Sequence, residues 1–131
     1  MSGLFDTIGI SGTGLTVDRK WMDAISDNLS NENDTVAGNQ PAFAQRYVEA
    51  QAAPGGGTEV VGIKYGDSAG ILQYDPGNPQ ADTAGYVKHP DIDMAGQMTQ
   101  MIMAERGYQA NLQIISRATD AYQQALQLGK G

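Results

Sequence analysis

Residues 94–128 read MAGQMTQMIMAERGYQANLQIISRATDAYQQALQL, a long stretch without proline. Steps of four and three residues through it trace a seven-residue repeat in which eight of ten positions are apolar or aromatic. A strict seven-residue repeat is typical of the seam of a left-handed coiled coil. Such a helix would extend about 50 Å at about 1.5 Å per residue, and its narrow stripe needs a packing partner. The ten positions are Met94, Met98, Met101, Glu105, Tyr108, Leu112, Ile115, Thr119, Tyr122 and Leu126.

The residues that flank this stretch favour helix ends. Asp93 is expected to be the N-cap, because its carboxylate can accept hydrogen bonds from the free N–H groups of the first turn. Gly129 is expected to end the helix in the left-handed conformation that glycine tolerates. Residues 93–131 are therefore predicted to be a C-terminal segment formed by one long helix.

The N-terminal segment, residues 1–34, carries a second seven-residue repeat, with seven of ten positions apolar. Three glycines interrupt it, and each costs about 1 kcal/mol of helix stability relative to alanine. We therefore predict a helix from Thr16 to Leu29 and a looser, conditional helix before it. Residues 30–34 read SNEND, and such short polar side chains compete with the helical backbone and end the helix. The repeat positions are Leu4, Ile8, Ser11, Leu15, Asp18, Met22, Ile25, Leu29, Glu32 and Val36.

The middle segment, residues 35–92, is rich in glycine and proline and predicts a small β-rich insert. Strand-like runs cover Phe43–Gln51, 61–65 and 71–74. Asp75–Pro79 is predicted to be a turn in which Gly77 takes a positive φ. The predicted fold is mainly α, with N- and C-terminal helices forming a coiled-coil tube element and the β insert between them.

Composition excludes several classes of protein. The chain has 131 residues, no cysteine and a net charge of −7 at pH 7, which rules out a disulfide scaffold and argues against nucleic acid as a partner. No apolar run approaches the ~18 residues of a membrane span, so no membrane insertion is expected. The first twenty residues lack the pattern of a cleaved secretory signal. Residues 1–34 carry six acids and two bases, against two acids and three bases in 94–131, which favours pairing between the two helices.

Three groups of residues invite a chemical interpretation, and each has a plainer one. The glycines of 9–14 resemble a phosphate-binding loop but lack the preceding strand, so a hinge or a close helix contact is favoured. His89 with Asp91 and Asp93 could form half a metal site, although the two aspartates suit a helix start better. Aspartates of the insert could serve a hydrolase, yet turns commonly contain aspartate. We therefore predict no catalytic, cofactor-binding or metal-binding residue. The insert aspartates considered are Asp67, Asp75, Asp82 and Asp91.

Four stretches resemble the bacterial flagellar axial proteins, the family of rod and hook subunits. Residues 10–15, ISGTGL, resemble the family's ISGSAL, and residues 22–31, MDAISDNLSN, resemble its SNNIAN box. Residues 85–91, GYVKHPD, resemble its GYV and PNV, and residues 105–111, ERGYQAN, resemble its RAYEAN. The chain length and the His-Pro-Asp context of the third stretch are similar to those of proximal-rod members.

The chain departs from the family pattern at four positions. Asp91 and Asp93 stand where asparagine is usual, Gly14 replaces an alanine, and Gly96 enters the first turn of the C-terminal helix. The two glycines weaken helix nucleation, which leaves open where the N-terminal helix begins.

The resemblance implies a structural role in the flagellar basal body. Family members stack helically into the rod that carries motor torque, with terminal helices in an inner tube and the insert outside. The implied partners are copies of this chain, other rod proteins and the flagellar type III export apparatus, with export across the periplasm and no cleaved signal. The implied assembly interface comprises Leu4, Ile8, Leu15, Met22, Ile25, Leu29, Met94, Met98, Met101, Tyr108, Asn111, Leu112, Ile115, Tyr122 and Leu126.

Two other functions remain open from the residues alone. A free coiled-coil adaptor could use the β insert to bind a ligand, and it would form a stable dimer in dilute solution. A small acidic hydrolase would instead turn over a substrate such as a glycan.

Overall fold

The computed structural model describes residues 2–131 and consists of a long helix at each end with two small sheets between them. The predicted order of helix, β insert and helix is confirmed, while coiled-coil geometry between the helices stays a prediction. The elements are α1 (Ser2–Ser30), β1 (Val36–Ala37), β2 (Arg46–Ala52), β3 (Thr58–Tyr65), β4 (Ile71–Tyr74), β5 (Tyr86–His89) and α2 (Met94–Leu128).

The helix predicted from Thr16 to Leu29 is present, and the preceding stretch, predicted to be a looser helix, continues it without a break from Ser2. Tertiary packing offsets the helix cost of the glycines. The ring of Phe5 lies edge-on to that of Tyr122 in α2, with 5.3 Å between their centres. A Cβ on Gly14 would lie 2.6 Å from Nδ2 of Asn111, so glycine here permits a close helix approach.

The two helices run antiparallel and pack against each other along their length. Phe5 meets Tyr122 at one end, while Asn28 meets Gln97 at the other. Among the helices and strands of residues 2–131, α2 lies against α1 alone. The predicted pairing of the terminal helices therefore occurs within a single chain.

The face of α2 that meets α1 only partly coincides with the stripe that large apolar residues trace. Its most buried residues are Gln97, Ala104 and Ala118, which are polar or small. They share a seven-residue spacing with Asn111, which is half-buried. Small side chains let the helix axes approach closely, and a search for large apolar residues overlooks them. The stripe residues that also face this seam are the half-buried Met101, Tyr108, Ile115 and Tyr122.

The predicted N-cap of α2 is correct in position but not in its hydrogen bond, and the predicted conformation of the C-cap is wrong. Asp93 is at the N-cap position, but its side chain makes no capping hydrogen bond. Its carboxylate lies beside Gly96, where a Cβ would be 2.8 Å from Oδ2. Gly129 is right-handed, with φ −72° and ψ −13°, because its N–H continues the helical pattern to the carbonyl of Ala125 at 3.0 Å.

The insert contains a three-stranded antiparallel sheet of order β1-β5-β4 and a separate β2–β3 hairpin. The hairpin lies along α1 and is attached at two points. Near its open end, Arg46 bonds to Asp27, and near its tip the N–H of Thr58 donates to Oγ1 of Thr13 at 3.1 Å. The predicted strands are thus present, although β2 begins later, at Arg46, and ends one residue further on.

The turn after β4 forms as predicted, with the N–H of Asn78 donating to the carbonyl of Asp75 at 3.1 Å. Gly77 does not take a positive φ, so that part of the prediction is wrong. The left-handed glycine lies at the end of the loop instead. Gly85 has φ 85°, and a Cβ there would lie 3.0 Å from the ring of Tyr74.

Candidate assembly interface

A buried asparagine joins the three parts of the chain. Asn28 is 1% exposed, and its Oδ1 accepts a hydrogen bond from the N–H of Arg46 at 2.7 Å. Its Nδ2 donates to the carbonyl of Arg46 and to Oε1 of Gln97, both at 2.9 Å. The amide thus pairs with β2 as a neighbouring strand would, while also holding α2. We call Asn28, Arg46 and Gln97 the Asn28 junction.

An ion pair strengthens the attachment at the same place. The guanidinium of Arg46 bonds to the carboxylate of Asp27 and lies 5.6 Å from the ring centre of Phe43. Both charged side chains are more than a third exposed, so solvent screens the pair and its contribution is small. The buried amide therefore contributes more to the geometry than the ion pair does.

A second polar contact joins the helices at their middle. Nδ2 of Asn111 donates to Oδ2 of Asp18 at 3.0 Å. A Cβ on Gly107 would lie 3.0 Å from the Asp18 carboxylate, and Gly14 lies against Asn111 on the other side. Two of the stretches that resemble rod and hook proteins, 10–15 and 105–111, therefore meet across the helix pair.

The predicted interface residues fall into three groups by exposure. Ile25 is buried at 1% exposed. Ten are half-buried: Leu4, Ile8, Leu15, Met22, Leu29, Met101, Tyr108, Asn111, Ile115 and Tyr122. The remaining four are exposed, and we call them the outer stripe: Met94, Met98, Leu112 and Leu126, which are 43%, 55%, 44% and 47% exposed.

The outer stripe gives α2 an apolar surface that α1 does not cover. Ile102 follows Met98 by one helical turn and adds to it, with an exposed fraction of 51%. Large exposed apolar surfaces on a folded protein mark sites of interaction with other proteins. Methionine suits such a site, because its flexible side chain fits more than one neighbour.

Sequence reasoning missed the members of the Asn28 junction as interface residues. Asn28 and Gln97 are polar, so a search for apolar repeats passes over them. The only available signal was that Asn28 lies within the stretch 22–31 that resembles rod and hook proteins. Its role follows from a three-way contact in which Asn28 and Gln97 are 69 positions apart in the chain.

The stretches considered for chemistry have structural roles here. Residues 9–14 lie inside α1 and cannot wrap a phosphate as a loop does. Both ring nitrogens of His89 have partners, with Nδ1 3.2 Å from Oγ1 of Thr35 and Nε2 2.9 Å from Oε1 of Gln73. Within residues 2–131, no three acidic or histidine side chains cluster as a metal site requires. Neither described helix is long and apolar enough to cross a membrane.

The chain is similar to flagellar proteins over nearly its whole length. Residues 83–128 match the family described as flagellar basal body rod FlgEFG protein C-terminal. The flagellar basal-body rod protein FlgC of Escherichia coli O157:H7 is 35% identical, with 97% of this chain and 98% of that protein covered. FlgC of Salmonella typhimurium (strain LT2) is also 35% identical with the same coverage. FlgC of Bacillus subtilis (strain 168) is 29% identical, covering 96% of this chain and 98% of that protein.

These matches and the paired terminal helices define a flagellar basal-body rod protein. The resemblance found in the four short stretches is thereby confirmed. Among rod proteins the chain belongs to the FlgC family, since the identity exceeds 30% over almost the full length of both chains.

Proposed function

We propose that this chain is a structural subunit of the proximal rod of the bacterial flagellum. In this proposal it assembles helically with copies of itself and with other rod proteins, and it transmits motor torque. It is exported by the flagellar type III apparatus and is built into the rod across the periplasm. The proposal assigns no catalytic residue and no cofactor.

The observation that supports assembly is the one-sided packing of α2. This helix lies against α1 alone and keeps the four apolar side chains of the outer stripe exposed. Fully burying such a side chain contributes about 1.5–3 kcal/mol, so covering the half that is still exposed would contribute roughly half of that each, and neighbouring subunits would supply the cover. A helical stack is suited to this, because each subunit meets several others.

The test replaces Leu112 with aspartate. Leu112 is 44% exposed in the single chain, so Leu112→Asp should lower the free energy of unfolding by about 1–2 kcal/mol, through partly lost burial and lower helix propensity. In the rod the same carboxylate would be desolvated against a neighbour, at a cost of several kcal/mol. Cells carrying Leu112→Asp should export the protein, fail to swim and yield basal bodies without a complete rod.

The matched control is Gln113→Asp, which adds the same charge at the next position of the helix, also exposed. This variant should support swimming. Normal swimming with Leu112→Asp would contradict the assignment of the outer stripe. A stable dimer of the isolated wild-type chain at low micromolar concentration would instead support the adaptor function.

A further inference from the structure

Strand β4 is the uncovered outer strand of the three-stranded sheet. It lies at one end of the order β1-β5-β4, and among the helices and strands of the described chain it contacts β5 alone. All four of its residues are exposed. Ile71, Leu72 and Tyr74 are 53%, 58% and 64% exposed, so the strand presents apolar side chains on both faces.

The hydrogen-bond register leaves the outer backbone groups of β4 free. The carbonyl of Tyr86 accepts from the N–H of Gly38, on the β1 side of the sheet. Tyr86 is opposite Tyr74, so this pair is one that exchanges no backbone hydrogen bonds. The N–H and C=O groups of Tyr74, and those of Leu72 two residues earlier, therefore point away from the sheet. We call these four groups the β4 edge.

The β2–β3 hairpin carries features that block pairing, and β4 does not. The β2–β3 hairpin has an irregular register at Glu49 and Ala50, and Lys64 pairs with Glu49 on its surface. Irregular register and surface charge are the usual means by which sheet edges avoid other chains. The sequence of β4, ILQY, has no charge and no proline. An exposed, apolar, regular edge of this kind is a template for another strand.

We propose that the β4 edge binds an extended segment of another protein by strand addition. Such binding uses main-chain hydrogen bonds for affinity and alternate side chains for specificity. Two carboxylates bracket the strand, because Asp67 precedes it by four residues and Asp75 follows Tyr74 directly. Lys88 lies opposite Leu72, one strand further from the edge. The fitting partner segment is apolar in its middle and basic at its ends.

A second copy of this chain fits the edge less well. Pairing of two β4 strands would bring the bracketing aspartates of both copies close to one another. Opposed like charges destabilise a strand pair. The partner is therefore a different protein with a basic extended segment.

The first test is Leu72→Pro, which removes one outward N–H from the β4 edge. This N–H has no partner among the described residues, so the pairing of β4 with β5 should survive and the far-ultraviolet circular dichroism should be unchanged. Leu72→Thr is the matched control, because it also shortens the side chain but keeps the N–H. We expect Leu72→Pro to reduce swimming at least tenfold and Leu72→Thr to reduce it less than twofold. Wild-type swimming with Leu72→Pro would overturn the proposal.

A second measurement does not depend on the folding of a variant. Hydrogen exchange at the amides of Leu72 and Tyr74 should be at least tenfold slower in isolated basal bodies than in the free chain. The amide of Gln73 faces β5 in both states and serves as the internal reference. Equal exchange at Leu72 and Tyr74 in both states would overturn the proposal.

The identity of the partner is tested by a photo-reactive amino acid at position 73 in assembled basal bodies. A crosslink to a lysine- or arginine-flanked segment of a different protein is expected. A product that joins two copies of this chain through β4 would overturn the assignment of the partner. The outer stripe is intact in these experiments, so their failure would leave the rod assembly proposed above unaffected.

Discussion

Replacing Asn28 with alanine tests whether the buried amide holds the helices and the insert together. The change removes three hydrogen bonds and leaves three groups without partners: the N–H and C=O of Arg46 and Oε1 of Gln97. Each lost bond costs about 1 kcal/mol net, and more where the remaining group is buried. Gln97 is 2% exposed, so its amide oxygen cannot turn to solvent without moving α2. The expected loss is about 3–4 kcal/mol.

The assay is urea unfolding of the purified chain, followed by circular dichroism at a wavelength that reports helix. A loss of about 3–4 kcal/mol would be a large share of the 5–15 kcal/mol typical of a domain. Asn31→Ala is the matched control, because the side chain of Asn31 makes a local contact: its Nδ2 donates to the carbonyl of Asp27, four residues earlier. We expect this control to lose about 1 kcal/mol or less. Equal losses from the two variants would refute the idea that the Asn28 junction couples the three segments.

Two further predictions concern backbone and packing. Gly85→Ala should cost about 1–2 kcal/mol because of its positive φ, whereas Gly77→Ala, which lacks a positive φ and has room for a Cβ, should be nearly neutral in thermal unfolding. Ala104→Leu should cost about 1–3 kcal/mol, since Ala104 is 0% exposed between the helices and a larger side chain must push them apart. Ala110→Leu, at an exposed site on the same helix, should not lower the stability. Equal destabilisation by the two substitutions would show that α2 does not pack through Ala104.

The sequence contained enough information for the order of elements but not for the packing face of α2. A seven-residue repeat of large apolar residues correctly located the helix, because periodicity reports which positions are kept out of water. It could not tell which of two neighbouring faces of the helix meets α1 and which stays exposed in the single chain. The structure separates them: Ala104 and Ala118 face α1, while Met98 and Leu112 are exposed.

Local rules failed where tertiary contacts override them. The glycines before Thr16 predicted a weak helix, yet α1 runs through them because Gly14 accommodates Asn111 from α2. Similarly, a proline-glycine pair predicted a positive φ at Gly77, but the left-handed residue is Gly85, which closes the loop against Tyr74. In both cases the deciding contact involves residues that are distant in sequence or lie on another element.

The attachment of the β2–β3 hairpin at two points has a mechanical consequence. The two anchors on α1, at Thr13 and at Asp27 with Asn28, lie about 22 Å apart along the helix at about 1.5 Å per residue. A hairpin attached at one point could rotate about it, whereas a hairpin attached at two separated points cannot rotate without breaking one of the two contacts. Sideways load on the hairpin therefore reaches α1 at two separated points, so the hairpin and the helix would move as one body.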